Sequence, residues 1–478
     1  MCGKQIGQVR MGFHHPILPD APARPHRPGR YRLIVLTAYR SSLRLPGAAR
    51  FSSTGFLARL PVAMVGLGIV LLVSERTGSY AAAGILSASF QLPAALGAVV
   101  TSRWVDRLGQ HRLLPWLALL NAAFLIAFVM SVESGALLIV QALVVAAAGL
   151  TQPAIGSMIR ARWAALATRP SDLRSAFALE SIIDELIFTV GPLATALIAF
   201  QLGLPLPLIL AAALGLAGGI LLALQRRTEP PLGTLGDHEP SRTGALRHPG
   251  MVLVVAAAMG VGAVFGTYEV SVVAFTQEAG SPGSSGLVLG VWAFGSLLAG
   301  IWFGSRTWTM TLGRQMFVMP AILAVVLIPA PFTPSILTLT IATVIAGMAV
   351  APTLIAAFSI TERLVPSRQL TEGLTWTNSG LAIGFSFGTA TAGVVVDSWG
   401  PSWGFALAIA GASFAALMAS FGQSAFRVAE RRATPEIPVA AWNTDPLPGP
   451  HPWGVTDSPP IVGATTPPSP DDDVTEQQ

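Results

Sequence analysis

The sequence predicts an all-α integral membrane protein with twelve transmembrane helices in two pseudo-symmetric six-helix bundles. Of its 478 residues, 52% are hydrophobic and only 11% are charged, whereas a soluble domain carries about 25% charged residues. The apolar residues fall into twelve long runs, and most arginines lie at the ends of those runs. The composition therefore excludes a soluble protein, and the pattern predicts spans separated by charged links.

Each apolar run after Phe51 fits a membrane-spanning helix, which needs about 20 residues. Helices are expected because unpaired backbone groups are costly in lipid, and because the runs exceed the ~10 residues of a barrel strand. The predicted segments are 53–74, 80–102, 113–132, 135–159, 176–200, 203–224, 251–277, 284–305, 315–330, 335–361, 373–396 and 402–423.

A polar stretch flanked by Pro230-Pro231 and Pro249-Gly250 divides the segments into six and six. Both ends of the chain are Pro-rich and cannot bury a core, so a disordered tail is favoured over a targeting peptide at the N-terminus. The predicted organisation is a basic, Pro/Arg-rich disordered tail at 1–50, an N-terminal bundle at 51–226, a cytoplasmic central loop at 227–250, a C-terminal bundle at 251–426 and a disordered, acidic tail at 427–478.

The two halves resemble each other weakly in sequence. Gly149 and Pro153 of segment four correspond to Gly347 and Pro352 of segment ten, at an offset of about 196 to 199 residues. Parallel repeats of two six-helix halves would leave such a duplication. Chance similarity between apolar segments is the alternative.

Arginine placement predicts the orientation. Arg76 alone would lie outside and Arg59 alone within a span, so the bias predicts that both termini are cytoplasmic in a multi-pass protein of the cell membrane. The arginines on the predicted cytoplasmic side beyond the leader are 103, 107, 112, 160, 162, 169, 174, 226, 227, 242, 247, 306, 314, 363, 368, 427, 431 and 432.

Charged residues inside spans are the strongest candidates for function, because each costs at least ~2.5 kcal/mol to insert. Glu180 and Asp184 share one face of segment five, Glu185 lies about 100° away, and Arg59 lies at comparable depth in segment one. Arg59 is expected to pair with Asp184 or Glu180. The cluster could be a fixed ion pair, a proton-coupling site or a substrate contact. Glu269 is a further candidate, or else a solvated helix-end residue.

The link Ser102 to Arg112 between segments two and three carries a recognisable pattern. It resembles the G-x-x-x-D-R-x-G-R-R/K loop of major facilitator superfamily transporters, with Ser102 in place of the glycine and Gln110 and His111 in place of the basic pair. Gly191-Pro192 in segment five resembles the G-P-x-x-G-G motif of drug/proton antiporters in that superfamily, although Thr195 and Ala196 replace its paired glycines. The gating-loop candidates are Asp106, Arg107, Gly109 and Arg112, and the helix-five kink candidates are Gly191 and Pro192.

The resemblance implies two rocking halves that give alternating access to a central site, with helices two, five, eight and eleven in contact. It further implies that Asp106 meets the N-terminal end of helix eleven, near 371–373, as a latch between the halves, because a helix N-terminus favours negative charge. Aromatic and polar residues of several segments are expected to line the central cavity. The cavity candidates are Gln152, Tyr268, Trp292, Thr353, Trp376 and Asn378.

Other function classes find little support. Cys2 is the single cysteine and Lys4 the single lysine, which excludes an internal disulfide and a phosphate-binding G-x-x-x-x-G-K-[ST] loop. No metal site, cofactor, enzyme activity or nucleic-acid partner is expected, and the net charge of +5 is explained by orientation in the bilayer.

The hypothesis is a monomeric secondary transporter that exports a small, moderately hydrophobic organic molecule and draws its energy from a proton gradient. Proton-coupled uptake of a metabolite is one alternative. A non-transporting membrane receptor or scaffold is the other.

Overall fold

The predicted fold class is confirmed. The computed structural model describes residues 43–433 apart from 168, 232–243, 307 and 367–368. Within these residues there is no strand, and twelve helices are long and apolar enough to cross a membrane. Their bounds are α1 Ala48–Thr77, α2 Tyr80–Leu108, α3 Gln110–Glu133, α4 Leu138–Leu166, α5 Pro170–Gln201, α6 Leu206–Ala223, α7 Met251–Glu278, α8 Ser285–Gly304, α9 Leu312–Leu327, α10 Ile336–Leu364, α11 Leu370–Trp399 and α12 Pro401–Ala433.

Several helices extend beyond the predicted segments. α1 begins at Ala48, inside the predicted tail, and α12 continues to Ala433, past the predicted bundle end at 426. Arg427 and Arg431 are exposed on that last extension, and basic residues near a helix C-terminus interact favourably with its dipole. The remainder of the predicted tails, 1–42 and 434–478, and residues 232–243 of the central loop lie outside the described residues.

The predicted loop at 102–112 is almost entirely helical, which is a correction. α2 runs through Leu108, α3 starts at Gln110, and Gly109 alone separates them. Gly109 has a φ of 90°, a backbone angle that glycine adopts readily and other residues rarely do. Exposed arginines do not interrupt a helix that protrudes from the membrane, so the charge pattern marked the membrane edge rather than the helix end.

The structure repeats the α2–α4 contact in the α8–α10 contact. α4 is interrupted between Leu138–Leu150 and Ile155–Leu166, and α10 between Ile336–Gly347 and Val350–Leu364. Just before each interruption a glycine packs on a neighbouring backbone. A Cβ at Gly149 would lie 2.2 Å from the carbonyl oxygen of Phe90 on α2, and one at Gly347 would lie 2.3 Å from that of Trp292 on α8. The sequence echo therefore corresponds to equivalent close contacts in the two halves.

The two halves meet through α2 with α11 and α5 with α8, the helices that the family resemblance implies. One buried apolar cluster crosses this boundary and joins Val70 and Leu86 to Val270 and Val396. We call the side where α1 ends and α2 begins the arginine-poor face, and the side where α1 begins and α2 ends the arginine-rich face. Large apolar side chains such as Leu197, 58% exposed, cover the outer surface, as expected for helices in lipid.

Candidate functional site

A charged cluster ties α1, α4 and α5 together in the N-terminal half. The Arg59 guanidinium on α1 donates hydrogen bonds to Glu180 and Asp184 on α5, and its Nη1 lies 2.7 Å from Asp184 Oδ1. Arg160 on α4 reaches the other Asp184 oxygen, with Nη2 2.7 Å from Oδ2. Two arginines and two carboxylates therefore balance in formal charge, which offsets part of the cost of burying them.

Glu180 is the most enclosed member of this cluster. It is fully buried, and its Oε1 accepts hydrogen bonds from Ser52 Oγ at 2.9 Å and from Trp163 Nε1 at 2.8 Å. Arg59 is 4% exposed and donates from Nε to the Gly55 carbonyl at 3.1 Å. Both buried charges are thus surrounded by hydrogen-bond partners, and such satisfied networks make the local structure rigid.

Sequence reasoning expected Arg59 beside Glu180 and Asp184 but missed Arg160 and Trp163. It ended segment four at residue 159 and assigned Arg160 to a loop, whereas α4 continues to Leu166. One signal was present: Arg160 and Trp163 are three residues apart, a spacing that places two side chains on the same helix face.

Arg162, also assigned to a loop, is fully buried. Its guanidinium donates to the Gln110 side chain at the start of α3, to the Thr228 hydroxyl, and to the carbonyls of Leu222 and Gln225 at the end of α6. These partners are all neutral. Arg162 therefore connects α4 to the start of α3 and to the end of α6 at the arginine-rich face.

Glu269 lies between the halves. α7 continues from it for nine residues to Glu278, and its Oε1 is buried without a hydrogen-bond partner. A Cβ at Gly66 of α1 would lie 3.4 Å from this oxygen and 3.6 Å from Nε2 of Gln91 on α2. A carboxylate of the C-terminal half thus approaches α1 and α2 of the N-terminal half without an ionic partner among the described residues.

The remaining α5 candidates take no part in the ion pairs of the charged cluster. Glu185 is partly buried, and its carboxylate makes no ion pair within the part of the chain that the structure describes. Gly191 packs so closely on α1 that a Cβ there would lie 2.6 Å from that of Ala63, while the Pro192 carbonyl oxygen would lie 2.5 Å from a Cβ at Gly286. This stretch of α5 therefore forms a close contact with α1 and α8.

Three cavity candidates, Tyr268, Trp292 and Thr353, are buried in this structure. Tyr268 is 2% exposed, its hydroxyl lies 2.6 Å from that of Thr343, and its ring packs on Trp292 and Phe405 at centroid distances of 4.3 and 5.2 Å. Thr353 is fully buried and donates to its own helix. Aromatic rings satisfied by neighbours within one half stabilise its core rather than face a central cavity.

The other three cavity candidates are more accessible. Gln152 lies in the interruption of α4, is partly buried, and has an Oε1 without a hydrogen-bond partner in the described residues. Trp376 is 38% exposed on α11, and Asn378 is exposed with its amide donating to the Leu374 carbonyl.

The halves are tied together at the arginine-poor face. The Asp397 carboxylate near the end of α11 accepts hydrogen bonds from Ser79 Oγ and from the backbone N–H groups of Tyr80 and Ala81, each at 2.8 Å. These are the first amides of α2, so the carboxylate caps a helix N-terminus of the opposite half. The Tyr80 hydroxyl also bonds to Gln277 of α7. The arginine-poor face is therefore closed.

Comparison with known proteins identifies the family. The family model described as Major Facilitator Superfamily matches residues 51–313. The chain belongs to this superfamily. No curated protein matches its sequence.

Solved structures of other transporters share the superfamily fold. The nucleoside transporter NupG is 16% identical with a TM-score of 0.60, covering 80% of this chain and 99% of its own. A bacterial homologue of the lysosomal transporter Spinster, inward-facing and unoccupied, is 18% identical with a TM-score of 0.57, covering 86% and 98%. A bacterial homologue of the iron transporter ferroportin, inward-facing, is 16% identical with a TM-score of 0.58, covering 79% and 99%.

The link between α2 and α3 is the superfamily feature first seen in the sequence. Arg107 and Arg112 are exposed, and the side chain of Asp106 lies outside the described residues, so its latch with α11 stays a prediction. Beside Gly109, the backbone N–H and the ring Nδ1 of His111 contact the Glu229 carboxylate, both at 3.1 Å from Oε1. His111 of this link therefore contacts the segment that follows α6, the last helix of the N-terminal half.

Proposed function

We propose that this superfamily member is a secondary active transporter that exports a small, moderately hydrophobic organic molecule in exchange for protons. It would act as a monomer in the cell membrane with both termini in the cytoplasm and would need no cofactor. The superfamily fold and the ties between halves at one face support alternating access. The observation that carries the proton coupling is Glu269 at the boundary between the halves, whose buried Oε1 has no hydrogen-bond partner among the described residues.

The surroundings of Glu269 suit a group that binds and releases a proton during the cycle. An ionised carboxylate buried without a partner costs several kcal/mol, and binding a proton removes that cost. When the halves rock apart at the arginine-poor face, Glu269 would meet water and could exchange its proton. Because α1, α2 and α7 approach one another at Glu269, its protonation state would affect the contact between the two halves.

Asp184 suits this task less well. It already has two arginine partners, Arg59 and Arg160, each within hydrogen-bond distance. Protonation of Asp184 would leave the two guanidinium groups with one remaining carboxylate. Asp184 is therefore the second candidate, and its pairing would have to change during transport for it to carry a proton.

The closed arginine-poor face supports a resting state that receives its substrate from the opposite side. If the arginine bias gives the orientation, this state opens toward the cytoplasm, where an exporter would collect its cargo. Uptake of a metabolite by the same fold is the second candidate function. The direction in which a pH gradient drives the substrate distinguishes uptake from export.

Flux in sealed vesicles tests the proposal. A panel of small organic molecules is first screened for ligands that raise the thermal stability of the purified protein. Each ligand is then followed in proteoliposomes with an imposed pH gradient. An exchanger accumulates substrate in the acidic compartment, because substrate moves against the protons, whereas a symporter accumulates it in the alkaline one. Stabilising ligands that no gradient moves would favour a receptor or scaffold.

The variant Glu269→Gln separates proton coupling from substrate binding. We expect gradient-driven accumulation to be lost, while equilibrium exchange of labelled for unlabelled substrate persists, because the amide cannot release a proton. Glu278→Gln, an exposed position at the end of the same helix, is the matched control and should transport normally. Full gradient-driven transport by Glu269→Gln would contradict the role of Glu269, and Asp184→Asn would then be the next variant to measure.

A further inference from the structure

A basic cavity opens at the arginine-rich face, between the start of α1 and the end of α6. Its volume is about 830 Å³, within the range of small-molecule sites. We name it the basic cavity. The lining side chains on which the inference depends are Arg44, Arg50, Arg226, Arg227, Leu166 and Leu224.

The basic cavity holds a concentrated positive charge. Its lining contains four arginines and no aspartate or glutamate, and none of the four forms an ion pair within the described residues. Buried Arg162 lies directly behind the lining, since it donates to the Gln225 carbonyl and the Thr228 hydroxyl, and both of these residues line the cavity. Glu229, which follows them, contacts His111 and also interacts electrostatically with Arg162. Four guanidinium groups without an ion pair among the described residues thus act on one concave space.

The backbone around the cavity also favours an anion. The N-cap residue Gly47 and the first-turn residues Ala49 and Arg50 of α1 line the cavity, and Gly47 provides no side-chain hydrogen bond. The Ala48 N–H donates to the Leu45 carbonyl at 3.0 Å, which leaves the amides of Ala49 and Arg50. The free N–H groups at a helix N-terminus attract anions such as phosphate. This adds to the attraction of the arginines, which form planar two-point hydrogen bonds with phosphate oxygens.

Apolar side chains also line the cavity. Leu43, Leu45, Leu166 and Leu224 line it together with the arginines, and Leu224 is 69% exposed. Exposed leucines next to guanidinium groups match a molecule with an anionic head and an apolar tail. A soluble anion would make no use of them.

We propose that the basic cavity binds the phosphate of an anionic phospholipid from the adjacent leaflet, with the acyl chains lying along the leucines. Basic pockets between helices at the cytoplasmic membrane surface suit such head groups. The bound lipid would bridge the start of α1 and the end of α6, the first and last helices of the N-terminal half. This inference does not rest on the direction or coupling of transport.

Native mass spectrometry of the full-length protein in detergent tests the proposal, with dioleoyl phosphatidylglycerol and dioleoyl phosphatidylcholine as probes at equal concentration. We expect retention of the anionic lipid at least tenfold above the zwitterionic one. Arg226→Gln/Arg227→Gln should abolish the preference, while Arg226→Lys/Arg227→Lys should keep part of it. Arg314→Gln/Arg363→Gln, which changes two exposed arginines of the C-terminal half, is the matched control and should bind as the unchanged protein does.

The possible outcomes are separable. Equal retention of both lipids, or an unchanged preference in Arg226→Gln/Arg227→Gln, would overturn the proposal. Inorganic phosphate is added in a third arm: if millimolar phosphate displaces the anionic lipid completely, the cavity takes free phosphate rather than lipid. The elution profile on size-exclusion chromatography shows whether each variant is folded, and the lysine variant keeps the test decisive if the glutamine variant is not.

Discussion

The two halves use the same helix contact in chemically different ways. In the N-terminal half, Trp163 of α4 donates to buried Glu180 of α5 at 2.8 Å. At the corresponding place in the C-terminal half, Thr361 of α10 and Thr377 of α11, both fully buried, lie 2.9 Å apart through their hydroxyls. The offsets between these pairs match the weak sequence repeat. One half joins its helices with a charged network and the other with a neutral pair.

The difference teaches that the fold alone does not require the charges. A neutral pair suffices at the equivalent contact, and replacing a buried ion pair by uncharged groups is often neutral or stabilising. The free-energy cost of burying charged side chains at this contact is therefore specific to the N-terminal half. The charged side chains are Arg59, Glu180, Asp184 and Arg160. Either the cluster fixes the register of α1 against α5, or it takes part in the transport cycle.

The largest expected effect is on Glu180. Glu180→Gln leaves Asp184, which Arg160 shares, as the one carboxylate partner of Arg59, and breaking a buried pair on one side costs up to about 3–5 kcal/mol. We expect a fall of several degrees in the thermal unfolding midpoint of the purified protein, measured by intrinsic fluorescence. An unfolding midpoint equal to that of the unchanged protein would mean that the cluster does not stabilise the N-terminal half.

The double variant Arg59→Met/Glu180→Gln separates the two roles of the cluster. It removes both charges, while the glutamine can still accept hydrogen bonds from Trp163 and Ser52, so most of the stability should return. If substrate flux also returns, the cluster is a fixed connection between helices. If the protein is stable but flux is lost, the charges belong to the transport cycle.

The sequence was sufficient for the fold but for only part of the site. Apolar run lengths predicted twelve spans, and charges inside spans predicted the pairing of Arg59 with Asp184 or Glu180. The buried contacts of Arg160 and Arg162 were not predicted, because arginine at a membrane edge is ordinarily solvated. Only the packing of α4 in the structure shows that these two side chains reach buried partners. Asp397 gave no signal, because two of its three partners are backbone amides of the other half, which carry no side-chain pattern.

The tie at the arginine-poor face should show an intermediate effect. Asp397→Ala removes three hydrogen bonds to the start of α2, but Asp397 is exposed, so solvent screening limits the effect to about 1 kcal/mol. We expect the halves to separate more often at this face. In a Cys2→Ser background, labelling of Gln91→Cys by a membrane-impermeant maleimide added at this face should become severalfold faster. Asp397→Asn, which retains one acceptor, should lie between the two, and an unchanged rate would show that other contacts hold this face closed.

The smallest expected effect is on the neutral pair. Thr377→Val preserves the side-chain shape and removes one hydroxyl, and hydrogen bonds between membrane helices contribute about 0.6 kcal/mol on average. The unfolding midpoint should therefore shift by only a small fraction of the shift in Glu180→Gln, since the Thr361 hydroxyl can still donate to the Ala357 carbonyl, 2.8 Å away. A loss as large as that of Glu180→Gln would mean that the two contacts are energetically equivalent. The charges of the N-terminal half would then need no explanation beyond helix packing.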